Sequence, residues 1–398
     1  MKILVLCQYY YPEPFRLPDI CRELVQRGHS VTVVTGTPNY PEGEIYPGYA
    51  HGAKADEVIG GVRVHRCPLV PRKTGILRRF LNYYSFVASS KRYLSRQKED
   101  YDVVFVNQLS PVMMAQAGLD WARKHHKKCV LYCLDLWPDS LLTGGVREGS
   151  LIYRFFLGVS RKIYRRADRV LISSQGFRER FLGELGVEAE RLKYLPQYAE
   201  ALFDTLPPSS EKDTVDFLFA GNIGKAQSVE TIVEAASRLL ADRRIRVHIV
   251  GSSVCLDDCR KAARDLPNVI FYGRRALTEM PEFYAMADVL LVTLSRDPLT
   301  AKTLPGKLQS YMASGKPVLG AADGETGRVI REAGCGVCVP AEDPDALAEA
   351  MARMASEPEK WETFGKNARS YYQKNFREEI FLERLEKALR ECCEPDGK

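Results

Sequence analysis

Residues 304–350 read LPGKLQSYMASGKPVLGAADGETGRVIREAGCGVCVPAEDPDALAEA. Pro305-Gly306-Lys307 is a turn that carries one cation. From Lys307 to Ala313 the spacing is helical, with Leu308, Tyr311 and Met312 on one face. Gly315 ends that helix, and Pro317 just beyond it is a stop signal. Residues 317–322 predict a short parallel strand, followed by two more turn-and-helix units. A lysine in a glycine turn at a helix N-terminus is a ready anion site, because backbone N–H groups, the helix dipole and the ammonium all favour a phosphate. Taken alone, the same turn reads as an ordinary surface turn with a solvated lysine, so its meaning depends on the rest of the chain.

Outward from this stretch, short apolar runs alternate with amphipathic segments. Strands are expected at 2–7, 30–35, 103–106, 129–133 and 169–173, and helices at 17–26, 77–97, 112–125, 151–166 and 175–185. Residues 62–66 are strand-like within a longer insertion. Residues 199–214, with Pro207-Pro208-Ser209-Ser210, break the rhythm and read as a linker. The pattern then restarts, with strands at 216–220, 246–250, 269–272 and 289–294, helices at 229–240 and 280–287, and a helical tail from 358 to about 393. Alternation of this kind predicts an α/β fold of two doubly wound, Rossmann-like units facing across a cleft. Residues 1–200 are assigned to the first and 201–375 to the second, with a last helix of about 376–398 packing back on the first. In such sheets ligands bind beyond the C-terminal strand ends.

A chain of 398 residues with 45% hydrophobic and 27% charged content is ordinary for a globular enzyme. It has no apolar run long enough to span a membrane. Its first residues read as a buried strand rather than a signal peptide. The 11 cysteines are scattered, several in strand-like contexts, which is reduced, cytosolic usage. The single CxxC at Cys335–Cys338 lacks a second ligand pair for zinc. Residues 1–200 carry 30 Lys+Arg against 20 Asp+Glu, whereas the remainder carries 27 against 31. The excess lies in runs: Arg72-Lys73 with Arg78-Arg79, Lys91-Arg92 with Arg96 and Lys98, residues 123–128, and Arg161-Lys162 with Arg165-Arg166 and Arg169. A basic half suits an anionic lipid surface or a phosphorylated acceptor, and each run taken singly suits a solvated helix face. No nucleic-acid motif accompanies the runs, so nucleic acid is not an expected partner.

Several turns at expected strand ends carry chemistry. Gly221-Asn222-Ile223-Gly224-Lys225 follows a strand and precedes a helix; its glycines let backbone approach a phosphate, and Lys225 adds charge. It is neither a GxGxxG fingerprint nor a Walker loop. Gly251 and Tyr272-Gly273-Arg274 end two further strands. With Lys307, two cationic turns could grip a diphosphate. In the first half, Tyr9-Tyr-Tyr-Pro-Glu-Pro-Phe-Arg16 places Glu13 and Arg16 at a strand end, where a local ion pair is the plain alternative. Asp135 could hold sugar hydroxyls or equally cap a helix. Asn107 stands at another strand end, with Ser110 and Pro111 placed to start a helix.

This ordered set resembles the family 4 glycosyltransferases of the GT-B fold over nearly the whole chain. Four segments carry the resemblance: Tyr-Pro-Glu-Pro after the first strand with residues 27–35 (RGHSVTVVT); Pro38-Asn39-Tyr40-Pro41 with Gly43; Gly221–Gly224; and residues 304–343. Pro38–Pro41 and Pro305–Met312 are similar to the subgroup that includes the WbuB-type N-acetyl-fucosamine transferases. The resemblance departs at known sites: the two donor-site glutamates fall at Lys302 and Ser310, the arginine and lysine of the phosphate turn at Asn222 and Gln227, and a histidine at Leu134.

The resemblance implies a retaining transferase that moves a hexose or N-acetylated amino sugar from a nucleotide diphosphate sugar, a UDP-sugar by preference, to a lipid diphosphate-linked glycan acceptor. It implies no metal and no cofactor, with Lys307, Lys225 and Arg274 as the cations for the diphosphate. The donor site is expected to comprise Gly221, Asn222, Gly224, Lys225, Gly251, Tyr272, Gly273, Arg274, Thr303, Leu304, Pro305, Gly306 and Glu325. The acceptor side is expected to comprise Arg16, Asn39, Tyr40 and Asn107, with Lys307, Glu13 and Asp135 as the catalytic candidates. The implied location is the cytoplasm, at the inner face of the plasma membrane. The aromatic and basic helix at 77–97 could dock on anionic lipid, with a core-facing aromatic stripe on an ordinary amphipathic helix as the plain alternative. A UDP-sugar 2-epimerase of the same fold and a non-catalytic sugar-nucleotide-binding protein are the alternatives. Six histidines without a catalytic-looking cluster argue against the epimerase.

Overall fold

The computed structural model describes residues 1–72, 75–209 and 212–394. Lys73 of the first basic run, Ser210 of the linker and the end of the last helix's expected range fall outside them. The chain divides into two compact units. The first holds residues 1–173 and 177–195 and the chain from Leu382 onward; the second holds Ser174–Gly176 and Pro196–Phe381. The changes of unit thus fall at 195/196 and 381/382, so residues 196–200 and the start of the last helix belong with the second unit.

In the first unit the elements run β1 (Lys2–Leu6), α1 (Leu17–Gln26), β2 (Ser30–Gly36), β3 (Asp56–Ile59), β4 (Val62–Cys67), α2 (Ile76–Arg96), β5 (Val103–Gln108), α3 (Gln116–Lys124), β6 (Lys128–Cys133), α4 (Leu151–Tyr164), β7 (Arg169–Ile172), α5 (Arg178–Leu182) and β8 (Leu192–Tyr194). Among the described residues they form one eight-stranded sheet, ordered β3-β4-β2-β1-β5-β6-β7-β8. Every pairing is parallel except β3 with β4. Strands such as Val103–Gln108 are buried along their whole length, because helices cover both faces of a parallel sheet. Strand β3 went unexpected in the sequence. Gly60 and Gly61, at φ +57° and +82°, make the two-residue turn that folds it onto β4.

In the second unit the elements are β9 (Val215–Ala220), α6 (Val229–Ser237), β10 (Ile245–Val250), α7 (Leu256–Ala262), β11 (Val269–Gly273), α8 (Met280–Met286), β12 (Val289–Thr293), α9 (Pro298–Lys302), α10 (Gly306–Ser314), β13 (Val318–Ala321), α11 (Glu325–Ala333), β14 (Gly336–Val339), α12 (Pro344–Ser356) and α13 (Trp361–Asn375). Helix α14 (Glu378–Cys393) begins here and continues into the first unit. The sheet is parallel, ordered β11-β10-β9-β12-β13-β14. Alternate residues of β9 serve opposite layers: Phe217 and Phe219 join one apolar cluster, Leu218 and Ala220 the other. Helix α10 ends at Gly315 with φ +70°. Residues 336–339, expected within a turn-and-helix unit, are instead strand β14. A Cβ on Gly336 would run into the Val318 carbonyl oxygen, so a glycine is needed where β14 pairs with β13.

Glu386 on α14 holds the helix to the first unit. It accepts from Arg27 Nη1 at 3.0 Å and lies 2.6 Å from His29 Nε2. Burial alone would raise the Glu386 carboxyl, but hydrogen bonds from His29 and Arg27 prevail and hold it below the usual 4.5. A depressed carboxyl contributes stability above its unfolded value and loses it as the pH falls through its folded one. Glu386→Gln is therefore expected to lower the free energy of unfolding, measured by urea titration at pH 7, by about 1–2 kcal/mol, and the deficit should shrink as the pH is lowered toward 4.

Candidate functional site

The C-terminal edge of the second sheet carries most of the expected donor residues. Strands β9, β10 and β11, neighbours in the sheet, run out into Gly221, Gly251 and Gly273, with φ of +142°, +145° and +70°. The Gly221 N–H donates to the Val250 carbonyl and the Gly251 N–H to the Gly273 carbonyl, each at 2.9 Å. A Cβ on Gly251 would collide with the Gly221 carbonyl oxygen. The three turns thus form an edge bare of side chains, which a ligand can approach at backbone distance.

Lys307 reaches over this edge from the first turn of α10. Its Nζ lies 3.5 Å from the centroid of the Phe219 ring and 3.0 Å from where a Cβ of Gly221 would stand. The ammonium is buried and has no hydrogen-bond partner. Burial pulls it down to about 7, and no charged neighbour contributes to the shift. Tyr311, one turn along α10, fixes the helix against the sheet. Its hydroxyl accepts from the Ala220 N–H at 2.9 Å and lies 3.2 Å from the Ala220 carbonyl. Pro305 precedes the helix, so the N–H groups of Gly306 and Lys307 lie in its open first turn.

The residues leading into that turn are anchored on both sides. Thr303 Oγ1 donates to Leu299 O at 2.9 Å, Thr326 Oγ1 donates to Thr303 O at 3.4 Å, and Leu304 is buried. Glu325, first in α11, has its carboxylate engaged: Arg328 donates at 2.9 and 2.8 Å, and the Gln175 N–H at 3.3 Å. Arg328 was not singled out in the sequence, although the i, i+3 spacing was available as a signal. Asn222 and Lys225 are exposed, and the Gln227 side chain closes their turn by accepting from Asn222 Nδ2 at 3.1 Å and the Gly224 N–H at 3.3 Å. Arg274 is exposed beyond β11. Tyr272 is held by an unexpected buried chain: its hydroxyl lies 2.9 Å from His248 Nδ1, and His248 Nε2 lies 3.1 Å from Asp216 Oδ1. Burial opposes ionisation of Asp216, but His248 and Lys212 bring its carboxyl down to about 2. These residues sit on three strands, and only the sheet register joins them.

In the first unit, Glu13, Asn39 and Tyr40 come together. Glu13 is 3% exposed. One carboxylate oxygen accepts the Tyr10 N–H at 3.1 Å, and the other accepts the N–H groups of Asn39 and Tyr40 at 2.9 and 2.8 Å. It ties the loops after β1 and β2 together through backbone donors. Burial raises the carboxyl to about 7, against the pull of those three donors. Arg16 stands at the N-cap of α1. Asn107 is buried at the end of β5, its amide nitrogen 3.8 Å from Cys7 Sγ and its Oδ1 without a partner. Asp135 accepts the Ser110 N–H at 2.9 Å, and burial pushes its carboxyl up while Ser110 and Arg72 pull it down. Ser110 does not cap a helix: its hydroxyl accepts from Trp137 Nε1 at 2.8 Å, and a 3₁₀ turn follows. Arg72, read in the sequence only as part of a basic run, lies half-buried over the Tyr40 ring at 5.7 Å, and its N–H donates to Asn39 Oδ1 at 3.1 Å. Among the described residues, no group of three His, Cys, Asp or Glu is placed to hold a metal ion.

Two doubly wound, mainly parallel sheets in one chain, the second ending in a backbone edge with a cation above it, define the GT-B class of nucleotide-dependent proteins. The chain belongs to the family 4 glycosyltransferases of that class. Residues 16–197 match the glycosyl transferase 4-like domain and residues 205–371 the glycosyl transferases group 1 domain. The chain is 31% identical over 379 residues to the glycosyl transferase WcaI of Escherichia coli K12, named for colanic acid biosynthesis, covering 87% of this chain and 90% of WcaI. The fold is shared with sucrose-phosphate synthase of Thermosynechococcus elongatus, at a TM-score of 0.76 and 18% identity over 98% of each chain. It is shared too with HepE of Anabaena, solved with UDP-glucose, at a TM-score of 0.70 and 15% identity over 98% of this chain and 100% of HepE.

The unpartnered ammonium has a consequence for stability. Between about pH 7 and 10.5 Lys307 is neutral in the folded chain and charged in the unfolded one. The unfolded state then binds more protons, so this residue's contribution to stability rises with pH across that window. Lys307→Met is expected to raise the thermal unfolding midpoint at pH 7, with a gain that narrows toward pH 10. A midpoint that falls at pH 7 would contradict the strain assigned to the ammonium.

Proposed function

We propose that this protein is a retaining glycosyltransferase of cell-surface polysaccharide biosynthesis. It takes a hexosyl or N-acetylhexosaminyl group from a UDP-sugar and gives it to a lipid diphosphate-linked glycan. The observation that carries the reading is the Lys307 ammonium, buried without a partner beside the bare edge of Gly221 and Gly251. That arrangement lacks only an anion. WcaI's name supports the pathway class, and HepE's complex supports UDP as the carrier.

In this reading the leaving diphosphate lies against the glycine edge and the first turn of α10, with Lys307 on it and Lys225 and Arg274 on the outer side. Charge that develops as the glycosidic bond breaks meets donors already in place, which is the main source of catalysis when the environment is preorganised. No protein nucleophile and no metal ion is assigned; the leaving phosphate takes the acceptor proton. Asn39, Tyr40, Arg16 and Asn107 are assigned to the acceptor, and Arg72 joins them as a cation suited to its diphosphate. Glu13 supports them from behind. No helix among the described residues is long and apolar enough to cross a membrane; the lipid-linked acceptor is assigned to the inner membrane surface.

A thermal-shift panel of UDP-, GDP- and dTDP-sugars should select a UDP-sugar, since a ligand that binds the folded state raises its apparent stability. With that donor in radiolabelled form, Lys307→Ala is expected to cut turnover by about a hundredfold. Unchanged turnover would remove Lys307 from the chemistry, and conversion of the donor without acceptor would indicate an epimerase.

Binding should also depend on pH. A diphosphate raises the Lys307 ammonium above its free value of about 7, so UDP binding takes up a proton above pH 7 and weakens as the pH rises. Calorimetry at pH 8 in two buffers of different ionisation enthalpy should show that uptake in the wild type and lose it in Lys307→Met.

A further inference from the structure

We infer that the start of helix α4, with the neighbouring face of α2, is a docking surface for an anionic lipid bilayer. Helix α4 is apolar on both sides of its first two turns. Tyr153, Phe156 and Ile163 face the core, but Leu151, Ile152 and Phe155 are 83%, 55% and 60% exposed. Burial of the opposite face already satisfies the helix, so these three side chains contribute nothing to the fold that a polar residue would not. Large aliphatic and aromatic side chains left in water as one cluster mark an interaction surface rather than a chance exposure.

The patch continues onto α2. Phe80 of α2 stacks on Phe156 of α4, with ring centroids 5.5 Å apart and planes within 5°. The next positions along α2, Leu81 and Tyr84, are 45% and 43% exposed. The two helices are thus joined by a buried aromatic contact, and each leaves an apolar strip outside it.

Charge identifies the occupant. Arg78, Arg79, Arg147 and Arg154 stand on or beside the two strips, all exposed, and none forms an ion pair with another described residue. Some basic residues of the unit's other runs are paired internally: Lys91 and Arg166 share Asp120 at 2.8 and 2.5 Å, Lys128 pairs with Asp168 at 3.2 Å, and Arg169 with Glu391 at 2.7 Å. Glu148 is the exposed acid in the loop before α4. An apolar strip edged by unpaired arginines is the pattern of a helix that lies in the headgroup region of anionic lipid. A second copy of the chain fits less well, because a two-fold interface would set these arginines against themselves. The sequence placed docking on the helix at 77–97 alone; the proposed centre is α4, with α2 as the flank.

This surface deepens the proposed function, and rests on it only for the reason a bilayer is needed. The test needs neither donor nor acceptor, so its failure is distinct from failure of the transferase reading. The full chain is sedimented with vesicles of phosphatidylcholine alone and of phosphatidylcholine with phosphatidylglycerol in equal parts. Binding is expected to the second only. The pair Leu151→Ser with Phe155→Ser should weaken it by at least about tenfold, and neutralising Arg78 and Arg154 to Gln by about fivefold each. Both variants should keep the wild-type thermal midpoint, since the residues are exposed. Absence of binding to anionic vesicles, equal binding by the Leu151–Phe155 variant, or a dimer in light scattering that this variant dissociates would each overturn the proposal.

Discussion

The second unit is organised around one ion that the fold leaves incomplete. A lysine ammonium taken out of water without a hydrogen bond is among the more costly groups a protein can bury, and Lys307 receives only the face of Phe219 in return. The surrounding structure holds it there. Tyr311 clamps α10 to the last residue of β9, and the glycines at the ends of β9 and β10 leave no side chain that could donate or accept in the ligand's place. The helix enters at Pro305 with its first N–H groups open. Apart from the Tyr311 clamp, each of these features is neutral or unfavourable for stability taken singly. Together they form a preorganised cation site whose missing partner is an anion.

The contrast with the buried acids is informative. Glu13 is as deeply buried, yet both its oxygens are supplied with backbone donors, and its role is to join two loops. Glu325, expected in the donor site, is likewise supplied by Arg328 and the Gln175 N–H, so its carboxylate is already engaged. Asp216 is satisfied by His248 and Lys212. Among ionised groups, completeness of the local hydrogen bonding separates the residue that builds the fold from the residue that awaits a ligand. By that criterion Lys307 and the buried Oδ1 of Asn107 stand apart from the other candidates.

Much of this was visible in the chain itself, for definite reasons. Helix α10 and its stop at Gly315 follow from apolar spacing and a glycine needed at positive φ. The parallel strands follow from unbroken apolar runs, which a sheet covered on both faces requires. Glycines at 221, 251 and 273 stood out because each follows such a run. Strand β3 was missed because it is an edge strand of mixed polarity, although Gly60-Gly61 marked its turn. Strand β14 was missed because Gly336-Val-Cys-Val is short and sits between two helices. Arg72 was invisible as a site residue: in sequence it is one of several basic runs, and only the packing of the loops after β1 and β2 brings it over Tyr40.

Sequence alone determined the alternation of elements, the two-unit organisation and the presence of a cation at a helix start, because these depend on local spacing, propensity and turn chemistry. It also determined the family, since the motifs that carry it are contiguous. Only the tertiary structure decided which charged groups are satisfied. That depends on partners brought together by strand register and helix packing: His248 and Asp216 on neighbouring strands, Glu13 beneath two loops, Leu151 and Phe155 on the side of α4 that no other element covers. Burial and hydrogen bonding are properties of the packed chain, and they distinguish the ion at Lys307 from the many other lysines the sequence presents.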